Sequence, residues 1–306
     1  MINPSIIAPL WIDAPDAEVQ ALVRTRSLAR EDQRHIPEII RDGFTVVPQA
    51  VDREICQRTA DDFDAYLTQQ SDYAAKHTDS LGRHYRFVNF HLASENAMKI
   101  GMNERVLQIL DCLFGYKAAP YTCLYFEYGT GQPIHRDSPF FHTFPINYFV
   151  GVWTALEDIH PDAGPLTYVP GGHRWEIDHQ AIFRQVKSEH PGQNDEWYVD
   201  QALQRYYGHV IDRANNSIAA IKVPLRIGDT AIWHAQTPHG GSPIVNSALK
   251  RKSIVFHCTP EDMQVYHQGV FFGHPPSQHP APRFSYASLG NRKYAQAGQP
   301  LFAESY

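Results

Sequence analysis

Apolar positions change their spacing partway along the chain. Ile36, Ile39 and Ile40 fall on one face of a segment from Glu31 to Asp42, and Gly43 stands where a helix C-cap would. Phe44-Thr45-Val46-Val47 is a short β-branched run closed by Pro48. Asp52 precedes Ile55, Phe63, Tyr66 and Leu67, and Asn103 precedes Val106, Leu107, Leu110 and Leu113, so each is placed to cap a helix; Gly115 ends the second. The first thirty residues, with Ala14-Pro15-Asp16 and several arginines, read as an extended arm and a short surface helix.

After Pro120 the spacing turns to short β-rich runs. These are Tyr121 to Tyr128, Asn147 to Leu156, Ala219 to Val223, Thr230 to His234 and Ser253 to Cys258, separated by Gly, Pro and Asp turns. They predict an antiparallel barrel or sandwich with helices beside it. Between Trp175 and Ile218 a polar segment, helical around Asp195 to Val210, interrupts the strands. Both its ends return to the barrel, so residues 176–218 read as an insertion over one end, a lid by position, within one domain spanning 1–306. From Gln264 onward Pro and Gly alternate with aromatics, the pattern of an irregular tail.

Composition narrows the function classes. Apolar content of 43% and charged content of 20% describe a globular chain long enough to bury a core. A net charge of −6 leaves no basic footprint for nucleic acid. No apolar run reaches membrane-spanning length, no basic-then-apolar leader opens the sequence, and the 4 cysteines are scattered without a C-x-x-C pair. The expectation is a cytoplasmic protein acting on a small molecule.

The chemistry concentrates in two places. His135 and Asp137 form a His-X-Asp pair, which on an extended strand places both side chains on one face. A second histidine from Thr237-Pro238-His239-Gly240-Gly241-Ser242 completes two imidazoles and a carboxylate, a set that leaves the far side of a metal open and suits non-haem Fe(II). His-Arg-Asp also occurs in protein-kinase catalytic loops, but position 142 is His where Asn is required and no Asp-Phe-Gly follows. His234 competes with His239 for the third ligand, and His142, His160 and His173 are not expected to be ligands.

Further blocks follow in order: Trp153-Thr154-Ala155-Leu156-Glu157-Asp158, Gly164-Pro165-Leu166, Pro170-Gly171-Gly172-His173, Gly228-Asp229, and His239-Gly240-Gly241-Ser242 with Arg251 downstream. With Asp42-Gly43-Phe44 upstream, the ordered set resembles the phytanoyl-CoA dioxygenase family of Fe(II)/2-oxoglutarate oxygenases over roughly residues 31 to 260. The resemblance implies a double-stranded β-helix, a jelly-roll or cupin-like barrel, mainly β with flanking helices. It implies Fe(II) held by His135, Asp137 and His239, with 2-oxoglutarate as co-substrate and O2 as oxidant. It supports His239 over His234 for the third ligand. It assigns the distal carboxylate of 2-oxoglutarate to Arg251, with Ser242 beside it and Trp153 nearby.

Two departures from the family pattern matter. Gly172 stands where Ser is usual, and one extra residue precedes Ser242, so Lys250 occupies the ungapped position of the arginine. Arg251 is preferred because a guanidinium fork binds a carboxylate bidentately and an ammonium does not. A carboxylate at 137 points to hydroxylation rather than halogenation, in which a small residue there leaves room for chloride. The alternative is a metal-binding barrel that is a non-oxygenase enzyme or an inactive binding module. The polar segment from His77 to Arg86 reads as a solvated loop; by the resemblance it would approach the active site. Phe140, Phe141, Phe144, Tyr148, Trp197, Tyr206 and Tyr207 suggest a bulky, partly apolar substrate such as a natural-product intermediate.

Overall fold

The computed structural model describes residues 28–217, 220–274, 277 and 285–303. The arm and surface helix expected in the first thirty residues lie almost wholly outside them.

Helix α1 (His35–Asp42) buries His35, Ile36, Ile39 and Ile40, and Gly43 ends it at φ 85° with its N–H on the Ile39 carbonyl. Residues 31–34 form turns rather than the first turn of that helix. Strand β1 (Phe44–Val47) follows, then α2 (Arg53–Gln69), β2 (Phe87–Val88), α3 (Glu95–Gly101) and α4 (Glu104–Phe114). Asp52 holds the N-cap position of α2 but its side chain makes no capping bond, whereas Asn103 accepts the Val106 N–H at the start of α4.

The strand region is β3 (Ala118–Phe126), β4 (His142–Thr143), β5 (Val150–Ala155), β6 (Leu166–Tyr168), β7 (Ile221–Lys222), β8 (Thr230–His234), β9 (His239–Gly241), β10 (Ser253–Pro260), β11 (Val265–Tyr266), β12 (Ser285–Leu289), β13 (Arg292–Gln296) and β14 (Leu301–Phe302). A seven-stranded antiparallel sheet runs β1-β8-β5-β10-β3-β2-β14, and a smaller one runs β7-β6-β9. The residues around His135 extend the smaller sheet through a single bridge, His135 to His239. Two antiparallel sheets of this order, with helices on one side of the larger, form the double-stranded β-helix.

Period-2 alternation divides the large sheet into two environments. Cys123, Tyr125, Val150, Val152, Ile232, Ile254 and Phe256 point outward and join α1, α2, α3 and α4 in the main hydrophobic core. Phe126, Trp153, Ala155, Ala231, Trp233 and Val255 point inward, toward the smaller sheet, where they pack with Phe44, Leu166 and Tyr168. Cross-strand register aligns the inner residues in rows; Val255 lies opposite both Leu124 and Trp153, and Leu124 opposite Val88.

The insertion departs from expectation in having two helices, α5 (His179–Glu189) and α6 (Asp195–Asn215). Each is capped by a side chain, Asp178 on the Ala181 N–H and Asn194 on the Trp197 N–H. They form a cluster of their own with Phe271 and Phe272, at the end of the short helix α7 (Gln268–Phe271). The tail is also more ordered than its composition suggested. Strands β12 and β13 form a hairpin, and β14 adds an edge to the large sheet beside β2. Arg292 anchors the hairpin through a bidentate pair to Glu104, Nε and Nη2 donating at 3.1 and 2.8 Å, while its Nη1 donates to Asp111 at 2.8 Å.

Candidate metal centre and its cavity

His135, Asp137 and His239 converge, each offering a ligand atom within 4.8 Å of the others. Asp137 Oδ1 lies 3.7 Å from His135 Nε2 and 3.8 Å from His239 Nε2. Each imidazole directs Nδ1 to a backbone carbonyl, His135 to Pro133 at 2.8 Å and His239 to Thr237 at 2.9 Å. An Nδ1–H donating to a carbonyl leaves the Nε2 lone pair for a metal, which is how second-layer bonds set the tautomer of a ligating histidine. Burial pushes His135 down to about 4, so the ring is neutral at ordinary pH. Burial alone would raise Asp137; the His239, His257 and His135 rings and the Trp233 N–H outweigh it and hold the carboxyl below its usual range.

The His-X-Asp pair is not in a regular strand. Pro133 lacks an N–H, so the ladder with β9 is incomplete: His135 and His239 exchange N–H···O bonds of 2.8 and 3.0 Å, and the Gly241 N–H donates to the Gln132 carbonyl at 2.9 Å. The chain is extended there, and alternation still holds. The intervening Arg136 points the other way, into a buried network with the carbonyls of Gly172 and Trp175, Gln236 and the Tyr206 hydroxyl. Arg136 therefore ties the ligand strand to the 171–175 turn and to α6. Gly240 is required by the same close approach, because a Cβ there would lie 2.7 Å from the Gln132 carbonyl oxygen.

Trp233 had no assigned role in the sequence reading. Its indole Nε1–H donates to Asp137 Oδ2 at 2.8 Å, leaving Oδ1 facing both imidazoles. The ring finds room because its cross-strand partner is Gly151; a Cβ at 151 would come within 2.1 Å of the indole. His234 points away from the cluster: it is buried, its Nδ1 accepts the Gln236 N–H, and it faces His173. His173 bonds the Ile40 carbonyl, and His142 packs on Phe144 and Phe271 rather than lining the cavity.

A cavity of about 490 Å³ opens on the ligand set, between the two sheets. Arg251, 2% exposed, lines it above the rings of Phe126 and Trp153, with one N–H on the Gly164 carbonyl. Trp153 also lines it, and its buried Nε1–H has no partner among the described residues. Lys250 points elsewhere, to Glu127 at 2.6 Å with its side chain 43% exposed. Ser242, expected beside the co-substrate carboxylate, donates its hydroxyl to the Pro165 carbonyl at 2.7 Å and is not among the residues lining the cavity. Its neighbours Gly240 and Gly241 line the cavity.

Of the aromatic residues singled out, Phe140, Phe141 and Tyr207 line the cavity. Tyr148 and Tyr206 are buried in the packing, Trp197 sits in the helical cluster, and Phe144 is largely exposed. Two cavity residues lay outside the expected set. His257 on β10 stacks near Phe141 and Phe149, and burial holds it at about 4. Arg86, at the end of the segment read as a solvated loop, turns inward beside β2. Residue alternation along β2 carried that signal, since Arg86 shares the inner face with Val88.

Fold and ligand cluster together define the class: a double-stranded β-helix with two imidazoles and one carboxylate converging between its sheets. Residues 39–253 match the family described as Phytanoyl-CoA dioxygenase (PhyH), and the chain belongs to that family. It is 28% identical over 135 residues to a probable phytanoyl-CoA dioxygenase of Caenorhabditis elegans, covering 44% of this chain and 38% of the relative. It is 26% identical over 133 residues to the peroxisomal phytanoyl-CoA dioxygenase of Mus musculus, covering 44% of this chain and 35% of the relative. The matched stretch thus spans well under half the length of either relative.

Solved structures share the fold. The epimerase SnoN in complex with Fe3+, alpha ketoglutarate and nogalamycin RO aligns at TM-score 0.51 and 20% identity, over 87% of this chain and 98% of that one. EctD from S. alaskensis, with 2-oxoglutarate and 5-hydroxyectoine, aligns at TM-score 0.56 and 13% identity, over 82% and 83%. Among the described residues no helix is long and apolar enough to cross a membrane.

Proposed function

We propose that this chain is a mononuclear non-haem Fe(II)- and 2-oxoglutarate-dependent oxygenase that hydroxylates a C–H bond of a small molecule. The observation that carries the reading is the convergence of His135, Asp137 and His239 on one open-sided cluster in the wall of an arginine-bearing cavity. The donor set fits iron: two Nε2 atoms whose tautomers are set by backbone carbonyls, and one carboxylate oxygen left open by Trp233. The metal bound there supplies activation of O2 coupled to decarboxylation of 2-oxoglutarate, so that R–H, O2 and 2-oxoglutarate become R–OH, succinate and CO2.

The chain's own residues bind, orient and exclude water. Arg251 is the partner for the distal carboxylate of 2-oxoglutarate, and the unpartnered Trp153 Nε1–H is a second donor beside it. Phe140, Phe141 and Tyr207 wall the cavity with apolar surface. Tyr207 comes from α6, where its hydroxyl donates to the Arg136 carbonyl at 3.0 Å. The helical insertion therefore closes one side of the cavity and acts as its lid, keeping water from the reacting centre.

Anaerobic loading with Fe(II) and 2-oxoglutarate, followed by O2, tests the reading. Succinate should form in the native protein and not in Asp137→Ala. Stoichiometric metal uptake without succinate would place the chain instead among metal-binding barrels that are not oxygenases.

A further inference from the structure

Arg86 sits immediately before β2, with its backbone carbonyl accepting the Ala303 N–H and its side chain in the wall of the metal-site cavity. It is partly buried, and no hydrogen bond or ion pair to its guanidinium exists among the described residues. Two carboxylates that could serve are otherwise engaged: Glu127 accepts from Lys250 at 2.6 Å and lies 3.1 Å from His84 Nδ1, and Asp137, in the wall of the same cavity, accepts the Trp233 indole N–H and faces the two imidazoles. Burial lowers the pKa of Arg86 below the ordinary arginine value, and no carboxylate acts to raise it. An arginine remains charged throughout the accessible range, so a cation stands in a largely apolar cavity without a paired counter-ion among the described residues.

Charge in the loaded site makes this more telling, if the function is as proposed above. A divalent metal with Asp137 retains one positive charge, Arg251 adds a second, and the two carboxylates of 2-oxoglutarate neutralise both. Arg86 is the cation left over. Leaving a charge desolvated and unpaired is costly, whereas a guanidinium fork and a carboxylate satisfy one another with two charge-assisted bonds. The neighbouring wall at Val88, Leu124, Phe140 and Phe141 suits an apolar or aromatic body rather than a polyanion.

We propose that Arg86 is the specificity-determining residue for the primary substrate, and that this substrate is an organic acid whose carboxylate pairs with Arg86 while its apolar body lies against the inner sheet. The proposal rests on the oxygenase reading, and the test separates the two. Protein loaded with Ni(II) and 2-oxoglutarate is titrated by calorimetry with matched pairs of medium-chain and aryl-alkanoic acids and their primary amides.

At least one acid should bind the native protein about tenfold or more tighter than its amide, the size expected for a charge-assisted bond. Arg86→Gln should abolish that preference and Arg86→Lys should retain part of it, with 2-oxoglutarate affinity unchanged in both. Arg251→Gln should show the converse, weak 2-oxoglutarate binding. Failure to take up Ni(II) and 2-oxoglutarate would sink the oxygenase reading. Normal loading with no acid binding more tightly than its amide would overturn the role of Arg86. So would an Arg86→Gln protein that loses 2-oxoglutarate rather than the acid.

Discussion

The two faces of the large sheet are built from the same strands and have different tasks. On β10, Ile254 and Phe256 face the helices, while Val255 and His257 face the cavity. The outer face is mostly hydrocarbon, with its buried Thr154 and Thr230 hydroxyls bonded to one another at 2.9 Å, and it is closed by ring contacts such as Phe63 on Tyr125 at 4.0 Å between centroids. On the inner face lie Trp233, His257, Arg86 and the nearby Arg251, polar groups that a purely stabilising core would exclude. Stability and chemistry are thus separated by one residue step, and substitutions on the two faces should fail in different ways.

The largest effect should come from the ligand set. His135→Ala, Asp137→Ala and His239→Ala should each abolish Fe(II)-dependent succinate formation and reduce metal uptake, with the far-ultraviolet circular dichroism of the native fold. His234→Ala should leave metal uptake intact; loss of iron there with retention in His239→Ala would reverse the ligand assignment.

The outer face should respond only in stability. Phe256→Ala removes a ring that packs where a Cβ on Gly101 would come within 2.4 Å. It should cost about 3–5 kcal/mol in denaturant unfolding, while the KM for 2-oxoglutarate in the folded fraction stays near native. A changed KM at full folding would mean that the two faces are not separable.

Arg251→Gln tests the inner face. Loss of the arginine fork should weaken 2-oxoglutarate by about 2–5 kcal/mol, seen as a raised KM, whereas Lys250→Gln should change it by less than about 1 kcal/mol. The reverse ranking would show that the extra turn residue shifts the assignment to Lys250.

Trp233→Phe gives the smallest expected loss and the sharpest probe. It keeps most of the aromatic packing and deletes the Nε1–H bond to Asp137. Iron affinity should fall by about 10–100-fold, the usual range for losing a group that orients a ligand, with little change in unfolding free energy. Unaltered iron affinity would mean that the Asp137 carboxylate is positioned without the indole.

Local chemistry in the sequence was enough for the helix ends and for β1, β3, β5, β8 and β10 of the large sheet. Gly43 and Gly115 end their helices in left-handed conformations, and Asn103 caps as expected, because each signal acts within a few residues of itself. The spacing of His135 and Asp137 needs only an extended backbone to place both on one side, and it tolerated the missing ladder at Pro133. The helix α5 was not recognised in a polar stretch, and β14 is too short to show a period; both depend on the neighbours they pack against.

What only the tertiary structure decided is which side chains separated in sequence meet. Trp233 reaches Asp137 across 96 positions, and does so because register places Gly151 beneath the indole. Ser242 is directed at Pro165 instead of the cavity by the way the Gly240-Gly241 turn lies on the ligand strand, and Arg86 faces inward because β2 pairs with β3 in the register it does. Sequence by itself determined most of the longer elements and the candidate ligand types, which follow from periodicity, caps and the chemistry of imidazole and carboxylate. Orientation across the sheet depends on strand register, and register is fixed by packing between segments far apart in the chain.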